Sequence, residues 1–341
     1  MVNVALVYNL IHPEQLDGLP VDILAEYDSE ETVASLRAAL EGAGHTVALL
    51  EADETIAPQL KVVAPDIVFN IAEGRHGESR ESYVPTVCET LGLPYTGSGP
   101  LTLALCLNKA RAKEILLHYG IPTPRFQVME RADAPLDPAL RFPLIAKLLQ
   151  EGSSMGLSEN SVVDDEAALR RQVAHLIDAY HEPALVEEFI EGREFTIGIL
   201  GNHPPRPLPI TEVVFSQPRG IVLFDPDPEV VARFPELWGN YTQKTTHRGV
   251  CPAPVSPELQ AAIEETALRA YQALGCRDWC RMEMRLDAEG TLYVLELNPI
   301  AGIDASYWFA RSAEVAGESY QEFVNEILDH ALARYNHRAS G

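Results

Sequence analysis

The chain has 341 residues, 46% hydrophobic and 22% charged, with Lys+Arg 26 against Asp+Glu 50 and a net charge of −24. That balance suits an ordinary globular protein of roughly two or three domains, and an acidic chain without a basic block argues against a nucleic-acid partner. No apolar run approaches the roughly 18–20 residues of a membrane span, no secretory signal is expected at the start, and five scattered cysteines without CxxC spacing fit reduced thiols in the cytoplasm.

Residues 2–8 are apolar and rich in β-branched side chains, which predicts a strand. Residues 29–40 carry Val33, Leu36, Ala39 and Leu40 at helical spacing, with Ser29 placed to cap the start and Gly42 and Gly44 to end the helix. Strands are expected at 45–50 and 65–71. Strands alternating with helices imply parallel pairing in an α/β layer, and such sheets place ligands beyond the carboxyl ends of their strands. The polar stretch 73–80 sits just there. Residues 96–100 read as a boundary. A helix over 101–119 carrying Lys109 follows, then strands at 125–129 and 142–148. The Pro-rich 204–209 and the stretch 216–240 read as loops. A helix over 257–274, strands at 279–287 and 291–298, and an amphipathic packing helix over 319–335 complete the chain.

Three clusters carry chemistry. In the first, the apolar run 142–149 contains Lys147 and leads into a Gly/Ser turn with Ser153 and Ser154. Such a turn can wrap backbone N–H groups around phosphate oxygens, although a surface hairpin with a snorkelling lysine would look the same in isolation. In the second, 184–194, an apolar strand runs into a connector bearing acids. Its backbone could read an adenine edge and an acid could accept from ribose, or the acids could simply be solvated. In the third, Arg281 and Glu283 share one face of a strand and Glu296 and Asn298 share one face of the next, since side chains alternate with period 2. The turn 287–290 makes the two strands a hairpin. Two carboxylates and an amide oxygen on one face suit Mg²⁺, which takes hard oxygen ligands and leaves positions for substrate phosphates. An exposed polar face is the alternative.

A phosphate loop, a nucleotide hinge and a metal face in that order resemble the ATP-grasp superfamily, and within it the D-alanine–D-alanine ligase family. The likeness runs from the first strand to about Gly317. It is carried by Leu93-Pro94-Tyr95-Thr96-Gly97-Ser98-Gly99, Lys109, Lys147 with Glu151-Gly152-Ser153-Ser154-Met155-Gly156, the hinge at 187–194, and Glu283, Glu296 and Asn298. The resemblance implies an N-terminal Rossmann-like parallel sheet (1–97) followed by a two-subdomain α+β ATP-grasp fold (98–191 and 192–335). It implies a ligase that forms an amide through an acyl phosphate and releases ADP and phosphate. Lys109 and Lys147 would hold the α- and β-phosphates, with Ser153 and Ser154 in the loop over them. Glu187, Phe189 and Ile190 would bind adenine, and Glu194 the ribose. Glu283, Glu296 and Asn298 would coordinate Mg²⁺ (two ions, Mn²⁺ being an alternative). Arg281 would stabilise the transferring phosphoryl group, Gly302 would donate its N–H to the oxyanion, and Lys244, in a stretch similar to the family's "YETK", would reach the γ-phosphate. Small-molecule amino-acid substrates and a homodimeric assembly would follow. The site would need a lid, expected at 150–156 with 240–248, because an acyl phosphate hydrolyses readily.

Departures fall on the substrate side. The family's first glycine-rich turn and the acid after it are absent, and Glu26 is the nearest candidate for binding an ammonium. Glu73 stands before Gly74 where the family has histidine, Thr245 where it has tyrosine, and Tyr307-Trp308 where it has Ser-Leu. A ligase of other amino or carboxylic acids, a grasp-fold kinase without amide formation and a non-catalytic nucleotide module are the alternatives.

Overall fold

The structure, a computed structural model, describes residues 1–12, 20–217, 219–224, 231 and 247–339. Strand β1 (Asn3–Tyr8) buries Val4, Ala5, Leu6 and Val7 in succession, the signature of a parallel strand covered on both faces. It pairs in parallel with β2 (Thr46–Glu51) and β3 (Ile67–Asn70), one on each side. Val4 and Leu6 pack with α1 (Glu30–Gly42) and, from the far end of the chain, α9 (Tyr320–Ala339). Ala5 and Val7, on the other face, pack with α2 (Ile56–Val63) and α3 (Tyr83–Leu91). Ser29 caps α1 as expected, accepting from the Thr32 N–H at 3.0 Å.

The single helix expected over 101–119 is two helices, α4 (Pro100–Leu107) and α5 (Lys109–His118). Asn108 breaks it: its side chain accepts from the Arg111 N–H and opens a new helix. Lys109 and Lys113 then lie one turn apart on one face of α5.

Two antiparallel sheets follow. The first joins β4 (Phe126–Met129), β7 (Ala184–Glu188), β5 (Leu144–Leu148) and β6 (Val162–Val163) in that spatial order. Leu144, Ala146 and Leu148 of β5 bury against Leu169, Val173 and Leu176 of α6 (Glu166–Tyr180). The second is built on β8 (Arg193–Leu200), flanked on one side by β10 (Thr211–Phe215) and then β11 (His247–Val250), and on the other by β12 (Trp279–Leu286) and then β13 (Leu292–Asn298). Within the Pro-rich loop expected at 204–209, β9 (Arg206–Pro207) pairs with β8. Met282 and Met284 point into a core with α5 and α7 (Pro257–Leu274), which leaves Arg281 and Glu283 on the opposite face of β12. A last short helix, α8 (Trp308–Val315), starts beside Tyr307. The helices α2, α3, α6 and α8 are not among the sequence expectations. Among the described residues no helix is long and apolar enough to cross a membrane.

Candidate active site

The ends of β5 and β7 face the hairpin of β12 and β13 across a cavity of about 400 Å³, the size of a small-molecule site. Lys109, Lys147, Ser153, Ser154, Glu187, Phe189, Ile190, Glu194, Arg281, Glu283, Glu296 and Trp308 all line it. Residues expected from distant parts of the sequence are thus brought together.

Glu187 is buried and flanked by two ammonium groups, Lys113 at 2.8 Å and Lys147 at 2.9 Å. Burial alone would raise its pKa, but the two lysines hold it below the ordinary value. Lys113 is itself buried and pushed down to about 8 by desolvation, with Glu187 opposing. Its Nζ also donates to Thr123 Oγ1 at 2.7 Å. Lys113 was not singled out in the sequence, although its place four residues after Lys109 could have signalled it. Lys109 donates to the Glu151 carbonyl and lies 3.7 Å from Glu296. Glu194 accepts from Arg285 at 2.7 Å. Arg285 also donates to the Ile190 carbonyl at 3.0 Å and lies over the Phe189 ring.

On the hairpin, Glu283 stands directly opposite Glu296, and Arg281 opposite Asn298. Arg281 donates to Glu283 at 2.9 Å. Burial and then Glu296 push Glu283 up to about 8, whereas Lys109 and Lys147 overcome burial to hold Glu296 at about 2. Two carboxylates this close repel when both ionise, and a divalent cation between them removes that repulsion, so the donor set fits a metal. Asn298 Oδ1 accepts from the Ile300 N–H at 3.1 Å.

A second, smaller cavity opens beside Gly302, lined by Asp28, Glu73, Asp304 and Tyr307 among others. Tyr307 borders both cavities and Trp308 only the larger one. A Cβ on Gly302 would lie 2.6 Å from the Tyr307 ring, so the backbone there approaches the aromatic face closely. Asn9, at the carboxyl end of β1, organises this wall. Its N–H donates to Asp28 at 3.2 Å and its Oδ1 accepts from the Gly74 N–H at 2.9 Å. Asp28, absent from the sequence reading, faces the cavity. Glu26 does not line it: one oxygen accepts from the Gly152 N–H at 2.7 Å and the other meets Arg80 at 2.6 Å. Lys244 and Thr245, with most of the second lid segment, lie outside the described residues.

Residues 115–329 match the family model described as D-ala D-ala ligase C-terminus. The chain is 31% identical over 316 residues to the D-alanine–D-alanine ligase of Desulforudis audaxviator, covering 90% of this chain and 96% of that one. The chain belongs to the D-alanine–D-alanine ligase family. It is also 34% identical over 310 residues to an uncharacterised protein of Sinorhizobium fredii, covering 88% of this chain and 87% of that one. The fold is that of the D-alanine–D-alanine ligase from Bacillus anthracis complexed with ATP, at a TM-score of 0.75 and 20% identity over 99% of this chain and 100% of that one. The parallel first layer and the paired antiparallel sheets are therefore an ATP-grasp architecture. Membership makes the protein an ATP-dependent, ADP-forming ligase of a C–N bond.

Proposed function

We propose that the larger cavity binds ATP and that the smaller one, beside Gly302, binds the amino acid to be activated. The observation that carries this reading is the meeting of Lys109, Lys147, Arg281 and the Glu283–Glu296 pair around one 400 Å³ space. Phosphoryl transfer needs positioning and charge neutralisation more than covalent help, and this set supplies both. Lys109 and Lys147 hold the α- and β-phosphates. Ser153 and Ser154 cover them. The Glu187–Ile190 hinge takes adenine, and the Glu194 oxygen not held by Arg285 takes the ribose. Glu283, Glu296 and Asn298 would hold Mg²⁺, as two ions, or Mn²⁺ in its place. Bound there, the metal neutralises phosphate oxygens.

The substrate carboxylate attacks the γ-phosphorus to give an acyl phosphate and ADP. Arg281 faces the charge that develops, and the Gly302 N–H meets the carbonyl oxygen as the second amino acid's amine expels phosphate. Lys244 would complete the γ-phosphate site. The substrates are small molecules, amino acids, and a cytoplasmic homodimer is the expected form.

The relatives' names carry D-alanine with D-alanine as the product pair. The smaller cavity favours a different pair. Asp28, Glu73 and Asp304 line it, and no lysine or arginine among the described residues lies within ion-pair distance of them. Burial and the nearby Glu26 and Glu81 push Glu73 well above the ordinary carboxylate range, even with Arg80 opposing. A substrate bearing an extra ammonium group would compensate these acids. Incubation with ATP and paired amino acids, followed by product mass and nucleotide analysis, tests the reading. An amide with ADP and phosphate supports it. AMP as the main nucleotide product overturns the acyl-phosphate route, and ADP formation without any amide favours a grasp-fold kinase.

A further inference from the structure

The phosphate loop is an unusual piece of backbone. Ser153 and Ser154 both have positive φ, 48° and 62°. That conformation costs a non-glycine residue roughly 1–3 kcal/mol and persists only where the surroundings impose it. The constraint comes from outside the nucleotide half of the molecule. The 3₁₀ helix Val21–Glu26 lies against the loop and grips both its ends. Glu26 accepts from the Gly152 N–H at 2.7 Å, and Asp22 accepts from the Gly156 N–H at 3.0 Å. The approach is close, since a Cβ on Gly152 would lie 2.5 Å from the Glu26 oxygen. Asp22 is braced by the Tyr180 hydroxyl at 2.7 Å. Glu26 is braced by Arg80.

Arg80 is the centre of this arrangement. Its side chain is 3% exposed. It meets Glu26 at 2.6 Å and Glu151, the first residue of the loop, at 3.0 Å. It also donates to the carbonyls of Gln150 at 3.3 Å and Glu73 at 3.0 Å. One guanidinium thus ties the 3₁₀ helix, the wall of the amino-acid cavity and the entrance of the phosphate loop. Only arginine's planar set of donors serves four acceptors on three segments; a lysine ammonium offers three donors at one point.

We infer that Arg80 is a positioning residue for ATP, acting with Asp22 and Glu26 to preset the loop so that the Ser153 and Ser154 N–H groups face the phosphates. Glu26 then serves the loop and not a substrate ammonium. This rests on the assignment of the larger cavity to ATP, and the test separates the two. Affinity for a non-hydrolysable ATP analogue with Mg²⁺ is measured by calorimetry, and amide hydrogen exchange is followed across the whole chain without nucleotide, for wild type, Arg80→Lys and Asp22→Ala.

Arg80→Lys is expected to weaken analogue binding about tenfold, equivalent to about 1.4 kcal/mol, and to speed exchange in 150–157 while α7 stays protected. Asp22→Ala, at the other end of the loop, is expected to act the same way more weakly. In steady state both raise the KM for ATP more than they lower kcat. If wild type binds the analogue and both variants bind within about twofold of it, with unchanged loop exchange, the positioning role is wrong and the ATP site stands. If exchange rises throughout the variants, Arg80 only holds the fold together and the inference fails. If wild type does not bind the analogue, the assignment of the ATP site fails first.

Discussion

On the nucleotide side of the cleft, buried carboxylates already have cations: Lys113 and Lys147 on Glu187, Arg285 on Glu194, Lys109 near Glu296. Beside Gly302, Asp28, Glu73 and Asp304 line one cavity with no lysine or arginine among the described residues in ion-pair reach. Burying an unpaired charge is costly, and Asp28 and Glu73 are both held above the ordinary carboxylate range. The first side is therefore complete before ligand arrives, apart from the metal. The second is held in a state that a cationic ligand would improve. Removing charge should consequently have opposite effects on the two sides.

The largest effect is expected at the metal face. Glu296→Gln should bring turnover below about a hundredth of wild type, roughly 2.7 kcal/mol in barrier, with the melting temperature little changed. Retention of more than about a tenth of the rate would break the assignment. Next, Lys113→Met removes one of the two cations on the fully buried Glu187. Breaking such a cluster costs on the order of 3 kcal/mol, and chemical denaturation should show a clear loss of stability. An unchanged midpoint would mean that Lys147 alone satisfies Glu187.

The opposite sign is expected at Asp28. Burial lifts it to about 8, with the Asn9 N–H opposing and Asp304 adding repulsion. The folded state therefore binds this proton more tightly than the unfolded chain, whose pKa is near the ordinary 3.8. Any stability from this group is full below about pH 4 and drains away as the pH rises toward 8. Asp28→Asn should raise the melting temperature at pH 8 and raise it less at pH 5. Equal shifts at both values would mean that Asp28 is not held protonated. The smallest effect is on selectivity: Tyr307→Ser with Trp308→Leu should increase kcat/KM for D-alanine severalfold at the expense of a bulkier or cationic partner. A loss for all substrates alike would assign the aromatics to packing.

The same contrast governs what was legible in the sequence. Phosphates and a metal demand lysines, carboxylates and a small-residue turn at fixed places on strands, so Lys147, Glu283 and Glu296 stood out by their places on the strands and Glu194 through the family resemblance, and all line the larger cavity. The smaller cavity is assembled from three separate stretches, two of them joined by Asn9, an unremarkable polar residue at a strand end. No spacing rule connects Asp28 to Asp304, or Arg80 to Glu151. The parallel first layer was readable because strands alternate with helices there, whereas the break at Asn108 was not, since no proline or glycine interrupts 101–119 to mark it.

The account is tested most directly by kcat/KM for ADP release, with the product identified by mass, across pairs of neutral amino acids and pairs in which one member is a diamino acid. The expected result is amide, ADP and phosphate in every productive case, with a diamino-acid pair preferred over D-alanine with D-alanine. If D-alanine in both positions exceeds every other pair by about tenfold or more, about 1.4 kcal/mol, the acids beside Gly302 do not select the substrate and the contrast between the two sides fails.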